Sequence, residues 1–162
     1  MPKTTRKARK PPVNLNTLCD SKTRGVRTID THGAVSVVFD SRKILSTLVS
    51  KLAGASYVVG CVAWLTNSRV IAAMHKLQGV QIIVTNDKIL KKAKSKYIGL
   101  QSIKNDQAPI CVVGSGRGYM KSLMHHKFLV ALDDQKRPLW VCNGSFNITE
   151  SAKTNIENMV IY

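Results

Sequence analysis

AVSVVFDSRKILSTLVSKLAGASYVVGCVA, residues Ala34 to Ala63, changes its hydrophobic period twice in thirty positions, and this decides the fold class. Ala34 to Asp40 is short, β-branched and apolar, which predicts a strand. From Arg42 to Ala53 the apolar residues Ile44, Leu45, Leu48, Val49 and Leu52 recur at helical spacing and fall on one side of a helix. Ser56 to Ala63 is again a continuous apolar run of strand length. Outward from this strand, helix, strand unit the alternation continues. Ser68 to Leu77 predicts a second helix capped by Thr66 or Asn67, and Gly79 to Thr85 and Pro109 to Val113 predict further strands. The result is an α/β fold, with a mixed, largely parallel β-sheet flanked by helices.

The chain has 162 residues, enough for one core and too few for two comfortable ones. Lys and Arg number 25 against nine acids, a formal charge of +16. Such an excess points to a polyanionic partner, and both nucleic acid and anionic lipid qualify. No segment approaches the roughly 18 to 20 apolar residues of a membrane span, so stable membrane insertion is not expected. Lys3, Arg6, Lys7, Arg9 and Lys10 precede Pro11-Pro12, and Lys22, Arg24 and Arg27 continue the bias. Residues 1–31 are therefore read as a mobile basic arm ahead of a domain over 32–162. The arm either tracks phosphates or merely aids solubility. It lacks an apolar signal segment.

Lys88, Lys91, Lys92, Lys94 and Lys96 form a second basic cluster, a solvated helix face or a patch in which Lys91 and Lys92 bind substrate. Gly114-Ser-Gly-Arg-Gly118 lacks the Gly-Lys-Ser/Thr ending of a nucleotide-binding P-loop. Arg117 and Lys121 either meet substrate phosphates from this loop or belong to a plain connector. Cys61, Cys111 and Cys142 sit in apolar strands and Cys19 in the arm, without metal-site spacing, so they read as reduced core thiols and favour a cytoplasmic setting. Trp64 and Trp140 read as packing residues at strand ends, His75 as structural or exposed, and His32 has no visible partner.

The chemistry concentrates near the end. His125, His126 and Lys127 open the apolar run MHHKFLVAL, and Gly144-Ser145-Phe146-Asn147 follows within twenty residues. Residues two apart on a strand share a face, so His125 and Lys127 lie together while His126 looks away. Ser145 and Asn147 repeat the spacing where the second strand of a predicted hairpin gives out. Imidazole, ammonium, hydroxyl and amide are the groups that attack, neutralise and hold a phosphoryl centre.

The order His-x-Lys, spacer, Gly-Ser-x-Asn, followed by Asn155-Ile156-Glu157-Asn158-Met159-Val160-Ile161, resembles the HKD motif of the phospholipase D superfamily, of the single-motif nuclease type. The resemblance covers roughly His32 to Tyr162. It implies a phosphodiesterase or endonuclease working without metal or other cofactor, in which His125 forms a phosphohistidine. Lys127, Ser145 and Asn147 would hold nonbridging oxygens, and Glu157 would orient an imidazole. One motif per chain implies a homodimer whose two His125 side chains share one phosphate. Nucleic acid, DNA first and RNA second, is the expected substrate. The alternatives are a lipid phosphodiesterase of the same superfamily, or a basic DNA-binding protein of weak catalytic power. The family places an aspartate five residues after the lysine, where this chain has Leu132, with Asp133 and Asp134 next. Either a bulge restores a carboxylate to the site or Asp133-Asp134-Gln135-Lys136-Arg137-Pro138 is a polar hairpin turn, the reading favoured by turn chemistry.

Overall fold

The computed structural model of the chain describes residues 35–114 and 122–162. The arm over 1–31, Cys19, His32, Arg117 and Lys121 lie outside the described residues, as do the side chains of Lys91 and Lys92. Seven strands, β1 (Ser36–Val38), β2 (Tyr57–Val62), β3 (Gly79–Thr85), β4 (Ile110–Val113), β5 (Lys127–Leu132), β6 (Pro138–Gly144) and β7 (Met159–Ile161), form one sheet in the order β1-β7-β6-β5-β2-β3-β4. Only β2 with β3 and β3 with β4 pair in parallel; the other four pairings are antiparallel. The sheet is thus mixed, as expected, but its parallel character lies in strand direction rather than in pairing. β1, β2, β3, β4 and β6 run one way, and β5 and β7 return between them.

Helix α1 (Ser41–Leu52) starts where Asp40 caps it, its carboxylate accepting from the Arg42 N–H at 3.0 Å. Its apolar stripe, Ile44, Leu45, Leu48 and Leu52, is at most 2% exposed. Burial of each such side chain stabilises by about 1.5–3 kcal/mol, which outweighs any intrinsic propensity of the segment. Helix α2 (Ser68–Met74) is capped by Asn67, whose side-chain oxygen takes the N–H groups of Arg69 and Val70. The basic segment becomes a short helix α3 (Lys88–Ala93) and a 3₁₀ turn (Lys94–Tyr97). The Tyr97 hydroxyl donates to the Leu65 carbonyl, and Lys96 Nζ donates to the Thr66 carbonyl at 2.8 Å, so this segment is tied to the end of β2.

Leu129, Ala131 and Cys142 join the helices in the core, while Val59, Val130, Val141 and Val160 on the opposite face are only half-buried. Cys61 is half-buried and Cys142 buried, and burial pushes both thiols up, Cys142 to about 11. Cys111 departs from the expectation of a core thiol, because β4 is an edge strand and leaves it exposed.

The turn between β5 and β6 resolves the aspartate question. Asp133 Oδ1 accepts from the Gln135 and Arg137 N–H groups at 2.9 and 2.8 Å, and Oδ2 from Arg137 Nε at 2.8 Å. With Lys136 at φ 62°, this is a three-residue hairpin loop closed by a residue in the left-handed region. A register shift does occur beside it, but the extra residue is Leu139 on β6, which leaves Leu132 opposite Pro138. It does not carry Asp133 toward the histidine.

Candidate active site

Strand direction gathers the chemistry at one end of the sheet. The ends of β2, β3 and β6 and the starts of β5 and β7 all lie there, because β5 and β7 run opposite to the rest. The segment after β6 closes onto the segment after β2: the Thr66 and Asn67 N–H groups donate to the Ile148 carbonyl at 2.8 and 3.0 Å. Gly-Ser-Phe-Asn is thereby carried to the neighbourhood of Trp64.

His125 lies two residues ahead of the first strand residue rather than on the strand, since β5 begins at Lys127. The two side chains meet nonetheless. Lys127 Nζ lies 3.2 Å from His125 Nδ1 and donates to the His125 carbonyl at 2.8 Å. Burial holds the Lys127 ammonium below the usual lysine range, and the Glu157 carboxylate pulls in the other direction. Glu157 is therefore within electrostatic reach of Lys127, and its Oε1 accepts from Asn155 Nδ2 at 3.2 Å. His125, His126, Lys127, Phe128, Val141, Asn143 and Gly144 line an open cleft of about 560 Å³.

Ser145 is exposed and clamped to the segment entering β7. Its Oγ accepts from the Asn158 N–H at 3.1 Å, and its own N–H donates to Asn158 Oδ1 at 3.1 Å. The hydroxyl proton remains available to an incoming acceptor. The preceding glycine follows from this clamp, because a Cβ on Gly144 would stand 2.2 Å from the Asn158 carbonyl oxygen. Asn147 is half-buried where Ser145 is exposed. Past Gly144 the strand has ended, alternation no longer applies, and the Asn147 side-chain amide oxygen Oδ1 is buried with no partner among the described residues. Only its amide nitrogen is chemically suited to an anion.

Trp64 was expected to be packing and turns out to face the site. Its indole meets the His125 ring edge-on, with centroids 5.5 Å apart at 78°, and its Nε1–H donates to Asp87 Oδ2 at 3.1 Å. Asp87 immediately precedes α3, so the basic helix starts two contacts from the histidine. Trp140, by contrast, is buried and donates to the Lys51 carbonyl at 3.3 Å. His75 meets the Lys96 carbonyl at 2.9 Å, away from the site residues. Among the described residues no group of three His, Cys, Asp or Glu side chains is placed to hold a metal ion, and no helix is long and apolar enough to cross a membrane.

Comparison with known proteins follows the same lines. The family model described as cardiolipin synthase, PLD-like domain, matches residues 15–162. The uncharacterized protein L381 of Acanthamoeba polyphaga mimivirus is 30% identical over an alignment covering 68% of this chain and 53% of that protein. The chain thus spans about half the length of this curated relative. Among solved structures, NucT from Helicobacter pylori superposes with a TM-score of 0.55 at 18% identity, covering 78% of this chain and 83% of that one. Nuc from Salmonella typhimurium, a phospholipase D family member, gives 0.48 at 20% identity, covering 79% and 81%.

Proposed function

Because the chain belongs to the phospholipase D-like family whose model spans residues 15–162, we propose that it is a metal-independent phosphodiesterase cleaving nucleic acid, DNA foremost, through a phosphohistidine on His125. The observation that carries this reading is the contact of His125 with Lys127 in a cleft that also reaches Gly144, beside the Ser145 clamp.

A phosphodiester resists hydrolysis because its anionic oxygens repel a nucleophile, and displacement in two steps divides the barrier. A charged Lys127 can only donate, so in the free chain Nδ1 of His125 accepts and the ring's own proton resides on Nε2. Attack requires Nε2 bare. A phosphate entering the cleft offers the ammonium a stronger acceptor, and as Lys127 turns to it Nδ1 takes a proton from water while Nε2 gives its own back to water, leaving a neutral ring protonated on Nδ1. Glu157, close to Lys127, stabilises the imidazole cation that develops as Nε2 bonds to phosphorus. Nε2 attacks phosphorus, the P–N bond forms, and the P–O bond to the leaving strand breaks. Lys127, the Ser145 hydroxyl and the Asn147 amide nitrogen hold the nonbridging oxygens. The leaving oxygen takes its proton from His125 of a second copy of the chain, which then deprotonates the water that opens the P–N bond.

The charge of +16 and the start of α3 beside Trp64 support nucleic acid as the substrate, which in this proposal Lys91 and Lys92 help to bind. Arg117, Lys121 and the arm over 1–31 add further phosphate contacts in this proposal. The test is turnover of a bis-aryl phosphodiester, plasmid, single-stranded DNA and RNA, each with and without EDTA. Cleavage that persists in EDTA and disappears in His125→Ala is expected. Activity abolished by EDTA and restored by Mg²⁺, or retained by His125→Ala, overturns the mechanism.

A further inference from the structure

The cleft extends from the His125 end of β5 toward the sheet face opposite the helices. Side chains alternate along β5, so Phe128 emerges on the side away from Lys127, on the same half-buried face as Val130. Phe128 is 37% exposed, whereas its neighbour Leu129 is 1% exposed. Directly across the ladder stands Asn143, also exposed, with Val141 diagonal to it and His126 adjoining. The β5 backbone at Phe128 packs closely on the neighbouring β2, where a Cβ on Gly60 would stand 2.2 Å from the Phe128 carbonyl oxygen.

An exposed phenyl facing an amide that offers both a donor and an acceptor suits a flat ring with a polar edge. An acyl chain would cover Phe128 and Val141 but leave Asn143 and His126 without partners. The volume of about 560 Å³ fits a nucleotide-sized group, and the same cleft holds His125 and Lys127. Phosphate and base are one sugar apart. Resting on the phosphodiesterase reading, we infer that Phe128 and Asn143 form a seat for a nucleobase flanking the scissile phosphate, with the base stacked on the Phe128 ring and its edge against the Asn143 amide. A base within a duplex is already stacked and paired, so the seat selects single-stranded nucleic acid.

The experiment measures binding by fluorescence anisotropy, with His125→Ala in both arms so that no strand is consumed. A single-stranded DNA oligomer is compared with an abasic oligomer of equal length and charge. The base-bearing strand is expected to bind about tenfold more tightly, in keeping with the usual strength of base stacking on an aromatic side chain. Phe128→Ala should erase that difference, Phe128→Tyr should preserve it, and Asn143→Ala should alter the ranking of the four bases while keeping the preference over the abasic strand. Equal affinity for the two strands in the Phe128 protein overturns the inference. So does a Phe128→Ala that weakens both strands alike, that changes the sedimentation coefficient and so marks a contact between copies, or that loses only binding to anionic phospholipid vesicles. Turnover of the bis-aryl diester by the wild-type chain is read separately, so failure of the phosphodiesterase reading is distinguishable from failure of the seat.

Discussion

Replacing Trp64 by Leu is expected to slow turnover while leaving substrate affinity nearly unchanged. The indole touches the imidazole but lines no part of the cleft. Its expected role is to hold His125, which sits ahead of β5 and is exposed, so that among the described residues its two side-chain torsions are otherwise restrained only through Lys127. Edge-to-face aromatic pairs contribute about 0.5–1.5 kcal/mol, and at tenfold per 1.36 kcal/mol the held ring orientation loses roughly two- to twelvefold in population. The kcat on a small diester should therefore fall by about that factor, with KM changed by less than about twofold. Trp64→Phe keeps a ring against His125 and should recover most of the rate, although it gives up the hydrogen bond to Asp87. Asp87→Asn retains an acceptor for the indole and should keep kcat near that of wild type. Asp87→Ala and Trp64→Phe remove the two halves of one hydrogen bond, and their effects on melting temperature should be non-additive. A Trp64→Leu protein with unchanged kcat, or one in which kcat and melting temperature fall together with no recovery in Trp64→Phe, would refute a positioning role.

Three further outcomes follow from the same geometry. Lys127 acts only when charged, and burial lowers its pKa, so kcat/KM should be retained below that pKa and lost above it, with the basic limb lying below the ordinary lysine range. A pH profile of Lys127→Arg should show that limb displaced upward, whereas in Glu157→Gln it should move down. Asp133 is held below its usual range chiefly by the Arg137 backbone N–H, so its stabilisation is present above the unfolded-state pKa and lost as pH falls through the folded one. Asp133→Asn should lower the melting temperature at neutral pH, converge with wild type in acid, and leave turnover unchanged. If each site needs His125 from two chains, reassorting equal amounts of wild-type and His125→Ala protein should leave about one quarter of the activity, whereas independent sites would leave about one half.

Periodicity made most of the architecture legible. The stripe over Ile44, Leu45, Leu48 and Leu52, the Asn67 cap and the run from Gly79 to Thr85 are local patterns, and α1, α2 and β3 follow them within one or a few residues. Pairing direction was less accessible, because β5 and β7 insert among strands of the other sense and nothing in a strand's own sequence records its neighbour. The same division holds at the site. His125 and Lys127 were readable from spacing, although they meet through the long lysine side chain instead of a shared strand face. The Asn147 orientation was not, since strand alternation lapses at Gly144. Trp64 gave no local signal at all. Its contact with His125 exists because the end of β2 and the start of β5 are antiparallel neighbours, a fact of the fold.

A displaced aspartate weakens the chemistry only if that carboxylate works at the histidine, and Asp133 stands elsewhere. Asp133 closes the hairpin at the far end of β5 from Lys127. Six residues of strand separate the two by roughly 20 Å at the usual rise per residue, so neither register of that carboxylate brings it to the histidine. Its hydrogen bonds are spent on Gln135 and Arg137, where a one-residue shift alters the loop and not the cleft. Glu157 is a carboxylate at the site end, within electrostatic reach of the cation beside His125 and on the segment that Ser145 clamps. A change five or six residues after Lys127 can therefore be absorbed by the turn, and the pieces on which phosphoryl transfer would depend all lie at the opposite end of the sheet.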